Sequence, residues 1–310
     1  MLPDKSIEIP SRRFGKYRVR SRLGTGGMAE VFLAEAIDDQ GDQVNVALKL
    51  MKKGVSEEAF ADEADLMGML SHPNLVQRLE IGEAFGRPFI AMEFLIGGDL
   101  REIMDTHRRL STELPTAMGV HVVLEVLKAL AYFHQAKTRS GHALGLVHGD
   151  INPANVFFSG VGDVKVGDFG VAKSGLSNFG PSDGVTAGKL HYLSPEQTRG
   201  ERLTPASDLF SVGVMLHELV VGYYPFSTQE GDEVTRVMAS IRAAKLNLPE
   251  FLDKPLAQIL HKSMAPDLRS RYRTAGEFAG QLFHYALDKN LCQSSKDVQA
   301  WLESVLGLLL

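Results

Sequence analysis

Two polar residues, Asp150 and Asn155, lie five positions apart in the segment LVHGDINPANVFF, and Pro153 stiffens the chain between them. A carboxylate can orient a hydroxyl group and accept its proton, and an amide oxygen can bind Mg²⁺. A further carboxylate, Asp168, is flanked by glycine in the segment VGDFGVA. A carboxylate on such a turn suits a metal ion that bridges phosphate groups. Proton handling and metal binding beside a phosphate are therefore the chemistry that these residues could support.

A glycine-rich segment, LGTGGMAEVFLA, lies between two strand patterns near the start of the chain. Without Cβ atoms its backbone can approach a polyphosphate closely and offer its N–H groups. A simple hairpin turn is the alternative interpretation. A dinucleotide-binding unit is disfavoured, because a helix should follow the glycines there. The candidate nucleotide-binding residues of this segment are Leu23, Gly24, Thr25, Gly26 and Gly27.

Lys49 lies in the middle of the apolar strand segment VALKL. Burying an unpaired lysine is costly, so its side chain must point to an edge, to solvent or to an anion. A solvent-facing strand residue is one interpretation, and a phosphate ligand held by a carboxylate is the other. Glu63, on the helical segment that follows, is the candidate carboxylate, whereas the neighbouring acidic residues are expected on the exposed helix face.

The elements that must position these residues fall into two groups. Before Gly98 the chain has short β-branched and aromatic segments and one helical pattern, SEEAFADEADLMGMLSH. The predicted strands are YRVRSRLG, EVFLAEAI, QVNVALKLM and RPFIAMEF. After Gly98 long helical patterns predominate, namely LREIMDTHRRL, TAMGVHVVLEVLKALAYFHQAK, SDLFSVGVMLHELVVG and EVTRVMASIRAA. A short junction at residues 93–98 separates the β-rich lobe from the helical lobe.

The bulk composition is that of a soluble globular protein, with 310 residues, 44% hydrophobic and 23% charged. A net charge of -5 lacks the basic excess of a nucleic-acid-binding protein, so no nucleic-acid partner is expected. The single cysteine, Cys292, excludes an intrachain disulfide and fits a reducing compartment. The first residues lack the apolar run of a secretory signal, and the apolar segment 209–226 is interpreted as a buried helix. We therefore expect a cytoplasmic protein without direct membrane insertion.

Together the four motifs resemble the eukaryotic-type protein kinases, and the wording of LGTGGMAEVFLA and YLSPEQTRG is most similar to the bacterial Ser/Thr kinases. A structural turn explains each motif alone but not all four in this order. The similarity runs from about Tyr17 to about Leu287 and has further matches. These are HPNLV at 72–76, His148-Gly-Asp150, SPE at 194–196, Asp208, and Arg271, which resembles the family's partner for Glu196.

The resemblance implies an α+β, bilobal protein-kinase fold. A small antiparallel β-sheet with one helix is expected in an N-lobe at 17–96, and a mainly α-helical C-lobe at 97–287. An N-terminal extension at 1–16 and a helical C-terminal extension at 288–310 flank this domain.

The resemblance also implies ATP and Mg²⁺ as cofactors, with Mn²⁺ as an alternative metal. Lys49, held by Glu63, would contact the α- and β-phosphates, and the glycine loop would cover them. Asn155 and Asp168 would bind the metal, and Asp150 would orient the attacking hydroxyl of a protein substrate. The adenine would be contacted by Val31 and Ala47, by Met92 at the back of the pocket, and by the backbone of a hinge from Glu93 to Leu95.

Three of the positions that depart from the family pattern bear on activity or its control. Gly149 replaces the arginine that precedes the catalytic aspartate and meets a phosphorylated activation segment, so we expect activity independent of phosphorylation at Ser174, Ser177, Ser182 or Thr186. Asn152 replaces a lysine that touches the γ-phosphate, and Lys189 occupies a position that usually holds threonine. The hypothesis is that Lys189 supplies the missing charge, and the alternative is an exposed lysine in a surface segment.

The predicted function is ATP-dependent phosphorylation of Ser/Thr hydroxyls on protein substrates. A weak or inactive pseudokinase that acts as a nucleotide-binding scaffold is the alternative, and a small-molecule kinase is less favoured because SPE, Asp208 and Arg271 are present. Regulation is expected through a partner or through residues 288–310. In that tail one apolar face, formed by Trp301, Leu302, Val305 and Leu306, either packs on the helical lobe or docks a partner.

Overall fold

The computed structural model describes residues 13–26, 29–37, 40–52, 54, 57–84, 86–138, 140–169, 173–174, 187–226 and 234–307. The chain forms two compact units. Unit 1 comprises Met1–Gly68 and Val76–Phe94, and unit 2 comprises Met69–Leu75 and Leu95–Leu310. The sequence places residues 69–75 in the N-lobe, whereas the folded chain groups them with unit 2.

Unit 1 contains a small antiparallel sheet, as the resemblance implies, and its six strands follow the order β1-β2-β3-β4-β6-β5. The strands are β1 (Arg13–Phe14), β2 (Tyr17–Thr25), β3 (Ala29–Ile37), β4 (Gln43–Met51), β5 (Arg78–Ala84) and β6 (Arg87–Glu93), and the helix is α1 (Glu57–Met69). The four predicted strand segments form β2, β3, β4 and β6. Strands β1 and β5 were not predicted. β1 has only two residues and lies within the predicted N-terminal extension 1–16, whereas the edge strand β5 leaves its apolar Leu79 and Ile81 exposed at 56% and 49%.

The two faces of this sheet differ in their side chains. Leu48 and Leu50 of β4 pack into an apolar core with Phe32 of β3 and Phe89 of β6. Successive side chains of a strand point to opposite faces, so Lys49 lies on the face opposite this core. The buried face thus fixes the register that presents Lys49.

Unit 2 is mainly helical. Its helices are α2 (Leu100–Leu110), α3 (Thr116–His134), α4 (Ala187–Leu190), α5 (Pro195–Thr198), α6 (Pro205–Val221), α7 (Val234–Ala243), α8 (Lys254–Ser263), α9 (Ala275–Asp288) and α10 (Ser295–Leu306). Two short antiparallel pairs join β7 (Leu146–Val147) to β10 (Lys173–Ser174) and β8 (Val156–Phe158) to β9 (Val164–Val166). Within the described ranges, α3 alone has the length and apolarity of a membrane span, and 61% of that span is buried in the fold.

Helix α6 is buried along most of its length, as predicted for 209–226, but it begins at Pro205 and ends at Val221. Thr204 caps its N-terminus, Pro205 occupies the first turn, and Gly222 ends it with φ of 91°. A Cβ on Gly213 would lie 2.4 Å from the Ser263 hydroxyl, so glycine allows α8 to pack closely against α6. This rigid helix carries Asp208 in its first turn.

Candidate active site

The predicted nucleotide-binding residues of unit 1 share one face of the sheet. Val31 pairs with Lys49 across β3 and β4, and Ala47 pairs with Met92 across β4 and β6. Directly paired residues of an antiparallel sheet project from the same face, and so do residues two apart on one strand. Val31, Ala47, Lys49 and Met92 therefore lie together on the face opposite the apolar core.

Lys49 and Glu63 form a buried ion pair. The Lys49 Nζ lies 2.5 Å from the Glu63 Oε1, and the two residues are only 8% and 3% exposed. A buried charge is tolerated when it is paired, so each side chain keeps the other in place. Of the two interpretations of Lys49, the carboxylate-held lysine is the one that the structure shows, with Glu63 as predicted.

The glycine segment lies at the end of the hairpin formed by β2 and β3, which pair as far as Thr25 and Glu30. Gly24 pairs with Val31, and the Gly26 N–H donates to the Ala29 carbonyl at 2.8 Å. A Cβ on Gly24 would meet nothing within 4 Å, so this strand end has open space beside it. Lys52 donates to the Gly26 carbonyl at 2.5 Å and fixes the hairpin end, a contact that the sequence did not indicate.

The other residues of this segment vary in their surroundings. Thr25 pairs with Glu30, and Leu23 is 48% exposed, whereas Gly27 lies outside the described residues. An exposed apolar side chain beside an open glycine backbone is compatible with a ligand that covers both.

The predicted hinge begins at the end of β6. The Glu93 N–H donates to the Gln77 carbonyl at 3.1 Å, and the Glu93 Oε1 accepts from the Gln77 N–H at 2.8 Å. Leu95 begins the second segment of unit 2, and its carbonyl accepts from Gly98 at 3.3 Å. Glu93 is thus fixed by side chain and backbone alike.

In unit 2, the Asp150 carboxylate accepts hydrogen bonds from three side chains. The amide nitrogen of Asn152 donates to Oδ1 at 3.0 Å, and that of Asn155 donates to Oδ2 at 3.0 Å. Lys189 donates its ammonium to the same Oδ2 and forms an ion pair with it. The carboxylate is therefore held in one orientation by groups from both sides.

Asn152 has a second role in the same loop. Its Oδ1 accepts from the Ala154 N–H at 3.0 Å, which caps the 3₁₀ turn at Pro153–Asn155. Asn152 is 3% exposed, so its side chain is part of the loop interior. Asn152, which lacks the charge of the family's lysine, therefore stabilises the structure of this loop.

The backbone around Gly149 is anchored to α6. The His148 and Gly149 N–H groups donate to the two oxygens of Asp208 at 2.9 and 2.8 Å, and the Gly149 carbonyl accepts from Gln197 at 2.7 Å. Gly149 has φ of 75°, a conformation that favours glycine. His134, which was not among the predicted residues, lies 2.7 Å from the same Asp208 carboxylate.

Asn155 and Asp168 provide oxygen atoms of the kind that Mg²⁺ prefers. The amide nitrogen of Asn155 donates to Asp150, which turns the amide oxygen to the opposite side. The Gly167 N–H donates to the Asn155 carbonyl at 3.0 Å and holds the two segments together. Asp168 is exposed on its turn with φ of 62°. The oxygens of Asn155 and Asp168 therefore fit a divalent cation. Among the described residues no group of three His, Cys, Asp or Glu side chains could hold a metal ion.

The sequence matches the family described as Protein kinase domain over residues 17–285. The chain belongs to the protein kinase family. Members of this family use ATP and a divalent metal ion, typically Mg²⁺, to phosphorylate proteins. The predicted family, fold class and cofactor class are thereby confirmed, and helix α10 lies beyond the matched residues.

Several curated bacterial kinases are similar to this one. The tyrosine-protein kinase MasK of Myxococcus xanthus is 35% identical over 87% of this chain and 43% of its own length. The probable serine/threonine-protein kinase PknB of Lactococcus lactis is 32% identical over 87% and 42%, and PrkC of Bacillus subtilis is 30% identical over 88% and 41%. The chain thus spans less than half the length of these three relatives.

Two further kinase motifs are joined by a buried ion pair. Both Oε atoms of Glu196 accept from the Arg271 guanidinium, at 2.8 and 3.0 Å. Burial acts to raise the pKa of Glu196, but the hydrogen bonds and charge of Arg271 outweigh it and hold this pKa below its usual range. This pair, predicted from the sequence, anchors the start of α5, which Ser194 and Gln197 cap.

The candidate phosphorylation sites remain predictions. Ser177, Ser182 and Thr186 lie outside the described residues, and of Ser174 only the backbone, in β10, is described. Lys189 follows this segment in α4 and belongs to the described chain.

Proposed function

We propose that this kinase transfers the γ-phosphoryl group of ATP to serine or threonine hydroxyls of protein substrates. The observation that carries the proposal is the Lys189–Asp150 ion pair in a loop that also retains Asn155. It supports an active enzyme because a cation beside the catalytic carboxylate compensates for the uncharged Asn152. The names of PknB and PrkC support Ser/Thr acceptors, and the name of MasK makes tyrosine the alternative acceptor.

In the proposed reaction, ATP supplies the phosphoryl group, and Asn155 and Asp168 would hold a Mg²⁺ ion that would neutralise charge on the phosphates. Asp150 orients the acceptor hydroxyl and takes its proton while the oxygen bonds to the γ-phosphorus and ADP leaves. Lys49, fixed by Glu63, binds the α- and β-phosphates. Lys189 stabilises the charge on the transferring group, at a position set by α4.

Gly149 bears on whether the activity depends on phosphorylation of the activation segment. Charge-assisted contact with a phosphorylated segment needs a cationic side chain at this position, which glycine lacks. In this chain the loop backbone is instead anchored through Asp208 and Gln197. Activity is therefore proposed not to require phosphorylation of the activation segment.

Incubation of the protein with γ-labelled ATP, Mg²⁺ and a generic protein substrate tests the proposal. We expect label on the substrate with the wild type and a loss of about 100-fold or more with Asp150→Asn, because the proton acceptor is removed. Asp105→Asn, an exposed carboxylate on α2, is the matched control and should retain activity.

Acid hydrolysis of the labelled substrate then separates the acceptor classes. Phosphoserine and phosphothreonine are expected, and phosphotyrosine would replace the Ser/Thr assignment. Nucleotide binding without transfer in the wild type would favour the pseudokinase scaffold.

A further inference from the structure

Helix α10 lies beyond the residues that match the kinase family, yet it is packed into unit 2. Ser294 and Asp297 form a capping box at its start, and Gly307 ends it with φ of 62°. Val298 and Leu302 are fully buried, and Trp301 is 7% exposed. Of the apolar face predicted in the C-terminal tail, Trp301 and Leu302 are therefore buried in unit 2, whereas Val305 and Leu306 are half-buried.

Trp301 contacts two elements at once. Its ring stacks on His107 of α2, with centroids 6.0 Å apart, and meets Phe158 of β8 edge-on at 5.9 Å. Its indole N–H donates to the His107 Nε2 at 3.2 Å, and the other His107 nitrogen lies 2.9 Å from the Thr112 hydroxyl. An indole nitrogen can only donate, so His107 is neutral here with its proton on Nδ1. Burial lowers the pKa of His107, which favours this state.

The start of α10 also fits closely against the turn between β8 and β9. A Cβ on Gly162 would lie 1.9 Å from the Ser295 carbonyl oxygen, so glycine at this turn permits the approach. His121 of α3 and Gln293, just before the helix, line the same cavity beside this turn. The β8–β9 turn and α3 thus both lie against the start of α10.

The strand beneath Trp301 connects two parts of the candidate site. Phe158 lies three positions after Asn155, the proposed metal ligand. Its N–H donates to the Gly98 carbonyl at 3.0 Å, and its carbonyl accepts from Gly97 at 2.9 Å. Gly97 and Gly98 follow Leu95, the last residue of the predicted hinge. A shift in the position of Phe158 would therefore move Asn155, which is proposed to bind the metal, and the residues next to the hinge, which is proposed to bind adenine.

We infer that α10 is a built-in positioning element of this kinase, with Trp301 holding Phe158 and α2 so that the nucleotide-binding residues keep their geometry. The inference rests on the proposed function for the identity of the nucleotide. It predicts that a change at Trp301 weakens nucleotide binding more than it affects the residues that contact the acceptor hydroxyl. Asp150 is held by Asn152 and Lys189, and the backbone before it is held by Asp208, so its position does not depend on Trp301. Trp301 is a positioning residue in this scheme, since it acts through Phe158.

The test uses the full 310-residue chain with Trp301→Ala, Trp301→Phe and, as a matched control, Glu303→Ala on the exposed side of α10. Calorimetry gives the Kd for Mg²⁺–ADP, and steady-state assays give kcat and the KM for ATP and for the protein substrate. We expect Trp301→Ala to raise the Kd and the KM for ATP by about 2- to 30-fold, with kcat nearly unchanged. Trp301→Phe keeps an aromatic ring in contact with His107 and Phe158, so it should raise the Kd and the KM less. Glu303→Ala should have the Kd and the KM of the wild type.

An unchanged Kd for Mg²⁺–ADP in Trp301→Ala overturns the inference. A fall in kcat that is proportional to the loss of folded protein, as measured by circular dichroism, overturns it as well. If Trp301→Ala does not fold, hydrogen exchange in Trp301→Phe decides the question. Faster exchange of the Gly97 and Phe158 amides with a raised Kd supports positioning, and no change in either contradicts it. A wild type that binds Mg²⁺–ADP without transferring phosphate would refute the proposed function only, because the Kd comparison does not depend on catalysis.

Discussion

The Asn152 amide nitrogen lies 3.0 Å from the Asp150 Oδ1, on the carboxylate whose other oxygen accepts from Lys189. The position that lacks the family's lysine is therefore occupied by a side chain that orients the Asp150 carboxylate. In the proposed function, Lys189 supplies the positive charge of the missing lysine and Asn152 supplies the contact with Asp150. This division can be measured because each residue can be changed alone.

A double-mutant cycle tests the coupling of Lys189 and Asn152. Lys189→Thr should lower kcat by about 10- to 100-fold, less than the loss of an enclosed donor, because its side chain is 34% exposed. Adding Asn152→Lys should restore part of that loss, although it removes the cap on Ala154 and costs about 1 kcal/mol of stability. The measured quantity is the interaction free energy from kcat of the four proteins.

Lys245→Thr, at an exposed site after α7, is the control for a general loss of charge. Strictly additive effects of Lys189→Thr and Asn152→Lys would show that the two positions are independent and would leave Lys189 as a surface residue.

Substitution of glycine by alanine should have opposite effects on stability at Gly149 and at Gly280. Gly149→Ala should destabilise the protein by about 1–2 kcal/mol, because φ there is 75° and an added Cβ is strained. Gly280→Ala, in the exposed middle of α9 with nothing within 4 Å of the new Cβ, should stabilise it by about 0.5–1 kcal/mol. Urea unfolding midpoints would measure both, and a Gly149→Ala protein as stable as the wild type would contradict the left-handed conformation.

Replacement of the four candidate phosphorylation sites tests the role assigned to Gly149. A protein with Ser174, Ser177, Ser182 and Thr186 all changed to Ala should keep most of its kcat. The reason is that no arginine is present at position 149 to use a phosphate on the segment. Initial rates on a protein substrate are compared with those of the wild type, after circular dichroism has shown equal folding. Loss of activity in a folded quadruple variant would mean that segment phosphorylation matters through another cation.

Of the contacts around the candidate site residues, the sequence predicted some and missed others. A pair of Lys49 with Glu63 was one of two interpretations of a lysine in an apolar strand, and the structure joins these two side chains. The roles of Asn152 as a cap and of His134 as a partner of Asp208 were not predicted. Both depend on side-chain geometry, and the second joins residues 74 positions apart, which local patterns do not encode.

The same limit applied to the fold. Alternating or periodic apolar residues predicted β2, β3, β4, β6 and the long helices, since those elements bury one face. Strand β5 was missed because its edge position leaves Leu79 exposed. The C-terminal helix was predicted, but its partners His107 and Phe158 depend on tertiary packing.

His217 predicts a pH dependence of stability. It is fully buried on α6, its Nδ1 lies 3.0 Å from the Tyr223 carbonyl, and burial lowers its pKa to about 4 from the ordinary value of 6.5. Between these values the unfolded chain binds a proton that the folded chain does not, so stability should be lost as pH falls from about 6.5 to about 4, by about 3 kcal/mol from this residue. His217→Asn keeps a donor toward Tyr223 without titrating, and it should flatten that part of the urea-unfolding profile. His261→Asn, exposed on α8, is the control, and an equal pH slope in the wild type and His217→Asn would show that His217 is not the titrating group.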